Sequence, residues 1–268
     1  MKEIVEEALR EMTTQIEKTE EDYIGEDGLT YCEKCHMPKE YYFDQELAQK
    51  FGMKTHPREC DCHRKVREQA EVLREQSRYE ETVRVLKELC FSEKAMREWN
   101  FNKNGGKSKN TKTARFYIKH WEEVKRDNIG LLFWGAVGKG KSFLDRCIAN
   151  ALLEQEIPVR MTNFAEVLND LSSNFSEKNE YIKFLCRFPL LILDDFGMER
   201  GTEYGLEQIY AVIDSRYRSG KPLIVTSNLT LNELNNPQDT AHARIYDWLK
   251  ERCVQVKFSG ESRRRVTA

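Results

Sequence analysis

The 268-residue sequence contains no apolar run that approaches the roughly 20 residues needed to cross a membrane. It also has no excess of one charge, because 43 lysines and arginines nearly balance 45 aspartates and glutamates. The net charge of -2 argues against nucleic-acid binding over the whole surface, so such a contact would need a local basic patch. The first residues are acidic and amphipathic, unlike a secretory signal, and we therefore expect a cytoplasmic protein without a membrane partner.

Because an export signal is lacking, the eight cysteines are expected to be reduced rather than paired in disulfides. Four of them form two close pairs, Cys32 with Cys35 and Cys60 with Cys62. Four thiolates suit a closed, tetrahedral Zn²⁺ site of the structural kind, with no position left open for catalysis. The Cys-x-Cys spacing is tighter than usual, and unligated cysteines are the alternative. Three histidines lie near enough in sequence to replace one cysteine: His36, His56 and His63.

By composition the chain divides into two parts with a polar joint between them. Residues 1–98 are charged and mostly helical in pattern, and they predict a small helical zinc-binding domain. Residues 99–114 are rich in Gly, Asn, Lys, Ser and Thr and predict a linker. From 115 to 268 short apolar strands alternate with helices, which predicts an α/β fold with a helix-flanked parallel sheet. The five predicted strands are 130–135, 158–162, 190–194, 222–228 and 253–258.

The segment GAVGKGKS matches the pattern G-x-x-x-x-G-K-[ST], with an apolar strand before it and a helix after it. Glycines allow backbone N–H groups to close around phosphate oxygens, and the helix N-terminus adds its positive dipole end. The lysine would reach the terminal phosphates, and the serine hydroxyl can bind Mg²⁺. A chance glycine-rich turn is the alternative. The predicted ATP-binding residues are Gly135, Ala136, Val137, Gly138, Lys139, Gly140, Lys141 and Ser142.

Polar side chains follow two of the predicted strands. Asp194 and Asp195 end the apolar strand LLILD, at the sheet edge where the glycine-rich loop should also lie. We expect Asp194 to hold Mg²⁺ through water and Asp195 to polarise the attacking water. Asn228 ends the next strand and is expected to orient that water, with Thr226 and Ser227 as rivals. The alternatives are a simple strand-end turn for the acids and a loop cap for Asn228.

The departing phosphate also needs a positive counter-charge, which an arginine finger from a neighbouring subunit can supply. Arg244 and Arg252 lie on the helix after the fourth strand. A solvated basic helix face is the competing interpretation for each arginine. Three further candidates lie near the C-terminus: Arg263, Arg264 and Arg265.

The segments GLLFWGAVGKGKSFL, LLILDDFG, IVTSNL and RIYDWLKERCVQVKFSGESRRR resemble the DnaC/DnaI-type helicase loaders and the related IS21-type transposition helper ATPases. This resemblance implies an AAA+ P-loop ATPase that uses ATP and Mg²⁺ and associates with copies of itself. The cysteine-rich first part resembles the DnaI branch, which implies that it grips a hexameric replicative helicase. The expected product is a helicase assembled on single-stranded DNA.

The same resemblance assigns further residues. Arg244, in RIYD, becomes the first finger candidate, whereas Trp248 stands where loaders usually carry a second arginine. Arg264 occupies the place of an arginine that senses the nucleotide. The residues that the resemblance implies for contact with single-stranded DNA are Phe175, Thr202 and Tyr204. The lysines of the joint, which add phosphate contacts or are simply solvated, are Lys103, Lys107, Lys109 and Lys112.

Three functions are consistent with these patterns. The first is a helicase loader, the second a transposition helper ATPase, and the third an adaptor that binds ATP and barely hydrolyses it. A short Asp at position 195 and a tryptophan at position 248 favour the third. A neighbouring transposase or helicase gene, and turnover of ATP with and without single-stranded DNA, would distinguish the three.

Overall fold

The structure is a computed structural model that describes residues 22–104, 108–173, 177–197, 203–237 and 239–260. The chain divides into two compact units, with the division between Arg78 and Tyr79. The predicted domain boundary after residue 98 lies further along the chain. No described helix is long and apolar enough to cross a membrane.

The first unit contains two small antiparallel ladders, in which β1 pairs with β2 and β3 with β4. Among its described residues, the buried apolar side chains are Leu29, Cys32 and Cys60. So small a core gives little stability by itself, and a unit of this kind needs another source of folding free energy. Its elements are β1 (Tyr23–Ile24), β2 (Thr30–Tyr31), β3 (Glu40–Tyr42), α1 (Gln45–Phe51) and β4 (Thr55–Pro57).

A long helix, α2 (Asp61–Cys90), contributes residues to both units. It buries only Cys90, so its stability depends on local interactions more than on packing. Ion pairs one turn apart fill its surface, including Arg64 with Asp61 and Arg84 with Glu88. Each such exposed pair adds about 0.3–0.5 kcal/mol, and together they favour a continuous helix.

The second unit contains helical segments where a linker was predicted at residues 99–114. Phe101, Thr111 and Ala114 are buried in this segment, and Ser108 caps the helix that follows it. The polar composition concealed these positions because a helix needs only every third or fourth side chain to be small or apolar on its inner face. The elements are two 3-10 helices, Lys94–Glu98 and Phe101–Asn104, then α3 (Lys109–Lys119) and α4 (Trp121–Arg126).

A five-stranded, all-parallel sheet of order β6-β7-β8-β5-β9 forms the centre of the second unit. This confirms the predicted α/β class and the parallel sheet. The strands are β5 (Gly130–Trp134), β6 (Val159–Asn163), β7 (Leu190–Phe196), β8 (Leu223–Ser227) and β9 (Cys253–Lys257). The helices are α5 (Lys141–Leu153), α6 (Phe164–Ser173), α7 (Lys178–Arg187), α8 (Glu203–Arg218), α9 (Leu231–Asn235) and α10 (Thr240–Arg252).

Two apolar cores lie on the two faces of the sheet. Side chains alternate along each strand, so Leu131 and Phe133 of β5 join one core and Leu132 joins the other. Helices α3 and α5 cover the first face, and α6, α7, α8 and α10 cover the second. Because all strands are parallel, their carboxyl ends meet at one edge, and loops from several strands converge there.

Arg216 of α8 is almost fully buried and binds backbone carbonyl groups at the opposite edge of the sheet. Its guanidinium donates to the oxygens of Phe188 at 2.8 Å and Pro189 at 2.9 Å, and its Nε donates to Pro222 at 3.2 Å. Burial lowers the pKa of Arg216 to about 10, so the group remains charged at neutral pH. The Arg216 side chain thereby connects α8 to the loops that precede β7 and β8.

We expect Arg216→Leu to lower the free energy of unfolding by about 3 kcal/mol, because buried carbonyl groups lose their donors. Chemical denaturation followed by circular dichroism would measure the change. Arg218→Leu is the matched control, since Arg218 is exposed and pairs with the neighbouring Asp214, and it should change stability by less than about 0.5 kcal/mol. Equal losses in the two variants would contradict a special role for Arg216.

Candidate functional site

The glycine-rich loop, residues 135–142, joins the carboxyl end of β5 to the first turn of α5. Gly135, Gly138 and Gly140 have positive φ angles of 132°, 79° and 93°. A Cβ at position 135 would also collide with the backbone oxygen of Phe258. These positions require glycine, and the resulting turn leaves the N-terminus of α5 at the sheet edge, as a phosphate-binding loop requires.

The ammonium group of Lys141 lies inside this loop. Its Nζ donates to the carbonyl oxygens of Gly135 at 2.6 Å and Ala136 at 3.1 Å, and to Asn228 Oδ1 at 2.7 Å. Burial lowers the pKa of Lys141, although the nearby carboxylates of Asp194 and Asp195 oppose that shift. The predicted lysine and the predicted strand-end asparagine, 87 residues apart, are thus in direct contact.

Ser142 and Asp194 meet across the gap between α5 and β7. The hydroxyl of Ser142 donates to Asp194 Oδ1 at 3.0 Å, and Thr226 of β8 donates to the same oxygen. A hydroxyl and a carboxylate are oxygen donors of the kind that Mg²⁺ prefers, so this pair fits the ion. Thr226, a rival to Asn228 in the sequence, orients the acid instead.

Asp195 adopts a left-handed backbone conformation, with φ of 59°, at a bulge between β7 and β8. Its N–H donates to Thr226 Oγ1 at 3.0 Å. Partial burial of the carboxyl group, and then the adjacent charge of Asp194, raise the pKa of Asp195, while the charges of Lys141 and Arg146 oppose the shift. A strained non-glycine residue beside two polar groups is typical of a functional position.

Two charged residues of the site were missed from the sequence, Asp145 and Arg146 of α5. Asp145 is fully buried, and burial followed by the charge of Asp194 raises its pKa well above the ordinary value. Arg146 Nη1 lies 3.4 Å from Asp145 Oδ1 and 3.2 Å from Asp194 Oδ2. The pattern that signals them is a charged pair inside an otherwise apolar helix directly after a glycine-rich loop.

Arg146 therefore places a cation against the carboxylate that is expected to hold Mg²⁺. Its guanidinium also lies 5.5 Å from the ring centre of Trp99 and donates to Met96 Sδ at 3.2 Å. These contacts fix the arginine between the 3-10 segment before α3 and the site. The ion pair with Arg146 stabilises the negative charge of Asp194.

The remaining predicted residues are not gathered at this site. Arg244 is exposed on α10, and among the described residues no hydrogen bond or ion pair joins it to the glycine-rich loop. Tyr204 is half exposed at the start of α8, with Lys178 Nζ 4.6 Å from its ring centre. Phe175, Thr202 and Arg264 lie outside the described residues, as do Arg263 and Arg265.

Trp248 has a structural role that its position in the sequence did not reveal. Its ring stacks between Tyr210, at 5.2 Å, and Tyr217, at 5.3 Å. Arg252 Cζ lies 4.8 Å from the ring centre of Tyr217. The tryptophan packs α10 against α8, and Arg252 covers the end of the same aromatic stack.

The four predicted cysteines of the first unit form one cluster. The sulfur atoms of Cys32, Cys35, Cys60 and Cys62 all lie within 4.8 Å of one another. Cys32 and Cys35 flank a tight turn after β2, and Cys60 and Cys62 lie at the start of α2. Two of the three alternative ligands are engaged elsewhere: His36 bonds to Tyr23 and His56 packs on Phe43. The cluster is therefore a candidate site for one metal ion.

The family model described as IstB-like ATP binding protein matches residues 58–268. The chain belongs to this family. The family consists of ATP-binding AAA+ ATPases, so the glycine-rich loop and the acids of β7 lie in a P-loop ATPase. The expected resemblance to helicase loaders and IS21-type ATPases is confirmed at the level of the family.

Named relatives agree with this placement of the IstB-like chain. The phage-like element PBSX protein XkdC of Bacillus subtilis (strain 168) is 30% identical over 150 residues, covering 53% of this chain and 56% of that protein. The replicative helicase loader DnaI of the same organism is 24% identical over 160 residues, covering 55% and 51%. The chain spans about half the length of the curated relatives it matches.

A crystal structure of DnaI has the same fold, with a TM-score of 0.56 and 20% identity. The likeness covers 67% of this chain and 99% of that structure. This likeness supports the assignment of a parallel sheet flanked by helices, in which the P-loop lies at the carboxyl edge of the strands.

We expect Lys141→Ala to weaken ATP binding tenfold or more, because the charge-assisted hydrogen bonds that it removes are worth about 1.5–3 kcal/mol. Titration calorimetry with ATP and Mg²⁺ would measure the affinity. Lys183→Ala is the matched control, because it removes an exposed lysine of α7 that pairs with Glu180, and it should bind ATP normally. Full affinity in Lys141→Ala would remove the basis for this site.

Proposed function

We propose that the protein is an ATP-dependent loader that places a hexameric replicative helicase on single-stranded DNA. The observation that carries the proposal is the joining of Lys141 to Asn228 and of Ser142 to Asp194, which brings three strand ends to one P-loop. That arrangement supports ATP hydrolysis rather than simple nucleotide binding. Relatives named replicative helicase loaders, DnaI and DnaC, supply the class of partner.

Each residue of the site has a different role in the proposed hydrolysis of ATP. Backbone N–H groups of the loop and Lys141 bind the phosphates, and Ser142 with Asp194 would hold Mg²⁺, which supplies charge neutralisation. Asp195 accepts a proton from the attacking water, and its raised pKa makes it a stronger base than an ordinary aspartate. Asn228, bound to Lys141, orients that water toward the terminal phosphate.

Self-association would complete the site. Arg244 is exposed on α10 and free to reach the ATP of a neighbouring copy as an arginine finger. Trp248 is committed to its stack with Tyr210 and Tyr217, which supports Arg244 as the first candidate. Arg264 remains the proposed nucleotide sensor. For DNA we propose Phe175, Thr202 and Tyr204, of which Tyr204 has an exposed ring.

We also propose that the cysteine cluster holds a structural Zn²⁺ ion and that this unit grips the helicase. The support is the geometry of the four sulfurs and the small core of the unit. A metal that binds the folded unit and not the unfolded one contributes its binding free energy to stability.

A transposition helper ATPase is the second candidate, and the IS21 element in the name of the matching family favours it. Its partner would be a transposase instead of a helicase. Both candidates use the same ATPase site, so the identity of the partner distinguishes them.

For the metal, we expect one Zn²⁺ per chain by mass spectrometry of the purified protein, and its loss in Cys35→Ser and Cys62→Ser. Loss of the ion should also lower the melting temperature. Cys186→Ser, in the second unit, is the matched control and should retain the ion. A protein that contains iron with visible absorbance, or no metal at all, would overturn the zinc proposal.

For loading, we expect the full chain with ATP to transfer the helicase from a lysate of its own cells onto closed single-stranded DNA circles. Asp195→Asn should slow ATP turnover at least ~100-fold, because general-base catalysis contributes that much, and should abolish transfer while ATP still binds. Asp214→Asn is the control, since Asp214 pairs with Arg218 away from the site. Recovery of a transposase on the DNA would favour the second candidate, and recovery of neither enzyme would reject loading.

A further inference from the structure

One face of α3 is strongly basic although the chain as a whole is slightly acidic. The helix has no acidic residue, and its exposed side chains include Lys109, Lys112, Arg115 and Lys119. Among the described residues none of these four cations forms an ion pair, whereas the arginines of α2 are paired with glutamates. Four unneutralised charges over about 15 Å of helix favour an anionic partner.

An exposed aromatic ring lies within this basic face. The side chain of Phe116 is 64% exposed and stacks on His120, with ring centres 4.2 Å apart. At 100° per residue, Lys112, Phe116 and Lys119 point to the same side of the helix. Ala114 and Tyr117, on the opposite side, are buried. The packing of the fold does not explain why the large ring of Phe116 is exposed to water between two lysines.

A groove of about 630 Å³ continues this surface toward β9, the edge strand of the sheet. Lys109 and Thr113 line it from α3, and Lys257 lines it from β9. Lys139 of the P-loop lies at the same groove. Its lining includes three lysines and no carboxylate, so the groove extends the positive field from the α3 face to the edge of the ATP site.

We propose that the basic face of α3 and the groove between α3 and β9, together named here the α3 groove, bind single-stranded nucleic acid. Lysines that flank a stacked pair of rings match a strand in which phosphates alternate with bases, because the cations attract phosphate and the rings accept a base. An acidic protein would use the charges without needing the exposed ring. The proposal rests on the proposed function for the presence of DNA, and it adds a contact surface separate from Tyr204.

The charges of the neighbouring helix limit the surface at one end. Glu122 and Glu123 of α4 are exposed, and His120 Nδ1 lies 3.4 Å from Glu123 Oε2. A strand that follows the lysines therefore turns away from α4 and toward the groove beside β9. A strand in this groove would end near Lys139 of the P-loop.

The test measures binding of a fluorescein-labelled oligothymidine to the full chain by anisotropy, with ATP present and over a range of salt. Lys112→Gln with Lys119→Gln should weaken binding, and the slope of log K against log salt should fall by about 1.4, or ~0.7 for each lost phosphate contact. The matched control, Lys94→Gln with Lys183→Gln, removes two exposed lysines from other helices and should leave the slope unchanged.

Phe116→Ala provides an independent measurement, because it removes stacking without changing charge. Affinity should fall at least ~5-fold while the salt slope stays the same, since stacking on an aromatic ring is worth about 1 kcal/mol or more per base. Phe184→Ala, which removes another partly exposed ring, is the control and should bind normally. ATP turnover without DNA should be equal in all these variants.

The results separate this inference from the proposed function. If the unmodified chain binds no oligothymidine, the α3 groove is rejected, whereas the proposed function is decided by the transfer of the helicase in the loading assay. If the unmodified chain binds the oligothymidine and the α3 variants bind it with the same affinity and salt slope, only the α3 groove is rejected. The α3 groove is also rejected if those variants keep DNA binding and lose binding to an acidic protein.

Discussion

The carboxylate of Asp194 is the contact on which the rest of the ATP site depends. Ser142 and Thr226 both donate to one of its oxygens, and Arg146 pairs with the other. These partners come from α5 and β8, while the acid itself ends β7. A buried carboxylate without them would be costly, so the hydrogen bonds stabilise the charge and also fix the distance between the P-loop and the central strands.

Much of this arrangement could be predicted from the sequence because parallel strands end at a shared edge. An apolar strand followed by GAVGKGKS, and another followed by two aspartates, had to bring Ser142 and Asp194 near each other. The contact between Lys141 and Asn228 follows from the same rule. Side chains at strand ends are positioned by topology, and topology is what hydrophobic patterns encode well.

The unpredicted features depend on three-dimensional partners that pattern alone does not supply. Within the predicted linker, small residues such as Thr111 and Ala114 stand among polar residues in the sequence, and the pattern did not reveal that they are buried. Asp145 and Arg146 escaped notice because charged residues in a helix usually face solvent, and only the positions of Asp194 and Trp99 give them a role. The role of Trp248 was not predictable from the sequence because its stacking partners, Tyr210 and Tyr217, both lie more than thirty residues before it.

The aromatic stack of Tyr210, Trp248 and Tyr217 has a mechanical consequence. It clamps α10 to α8 through flat ring contacts, which resist rolling of one helix past the other. Arg244 is carried by α10 and Tyr204 by the first turn of α8. If Arg244 contacts the ATP of an adjoining protomer as proposed, the stack would couple its position to that of Tyr204, because both helices pack in the same core on one face of the sheet.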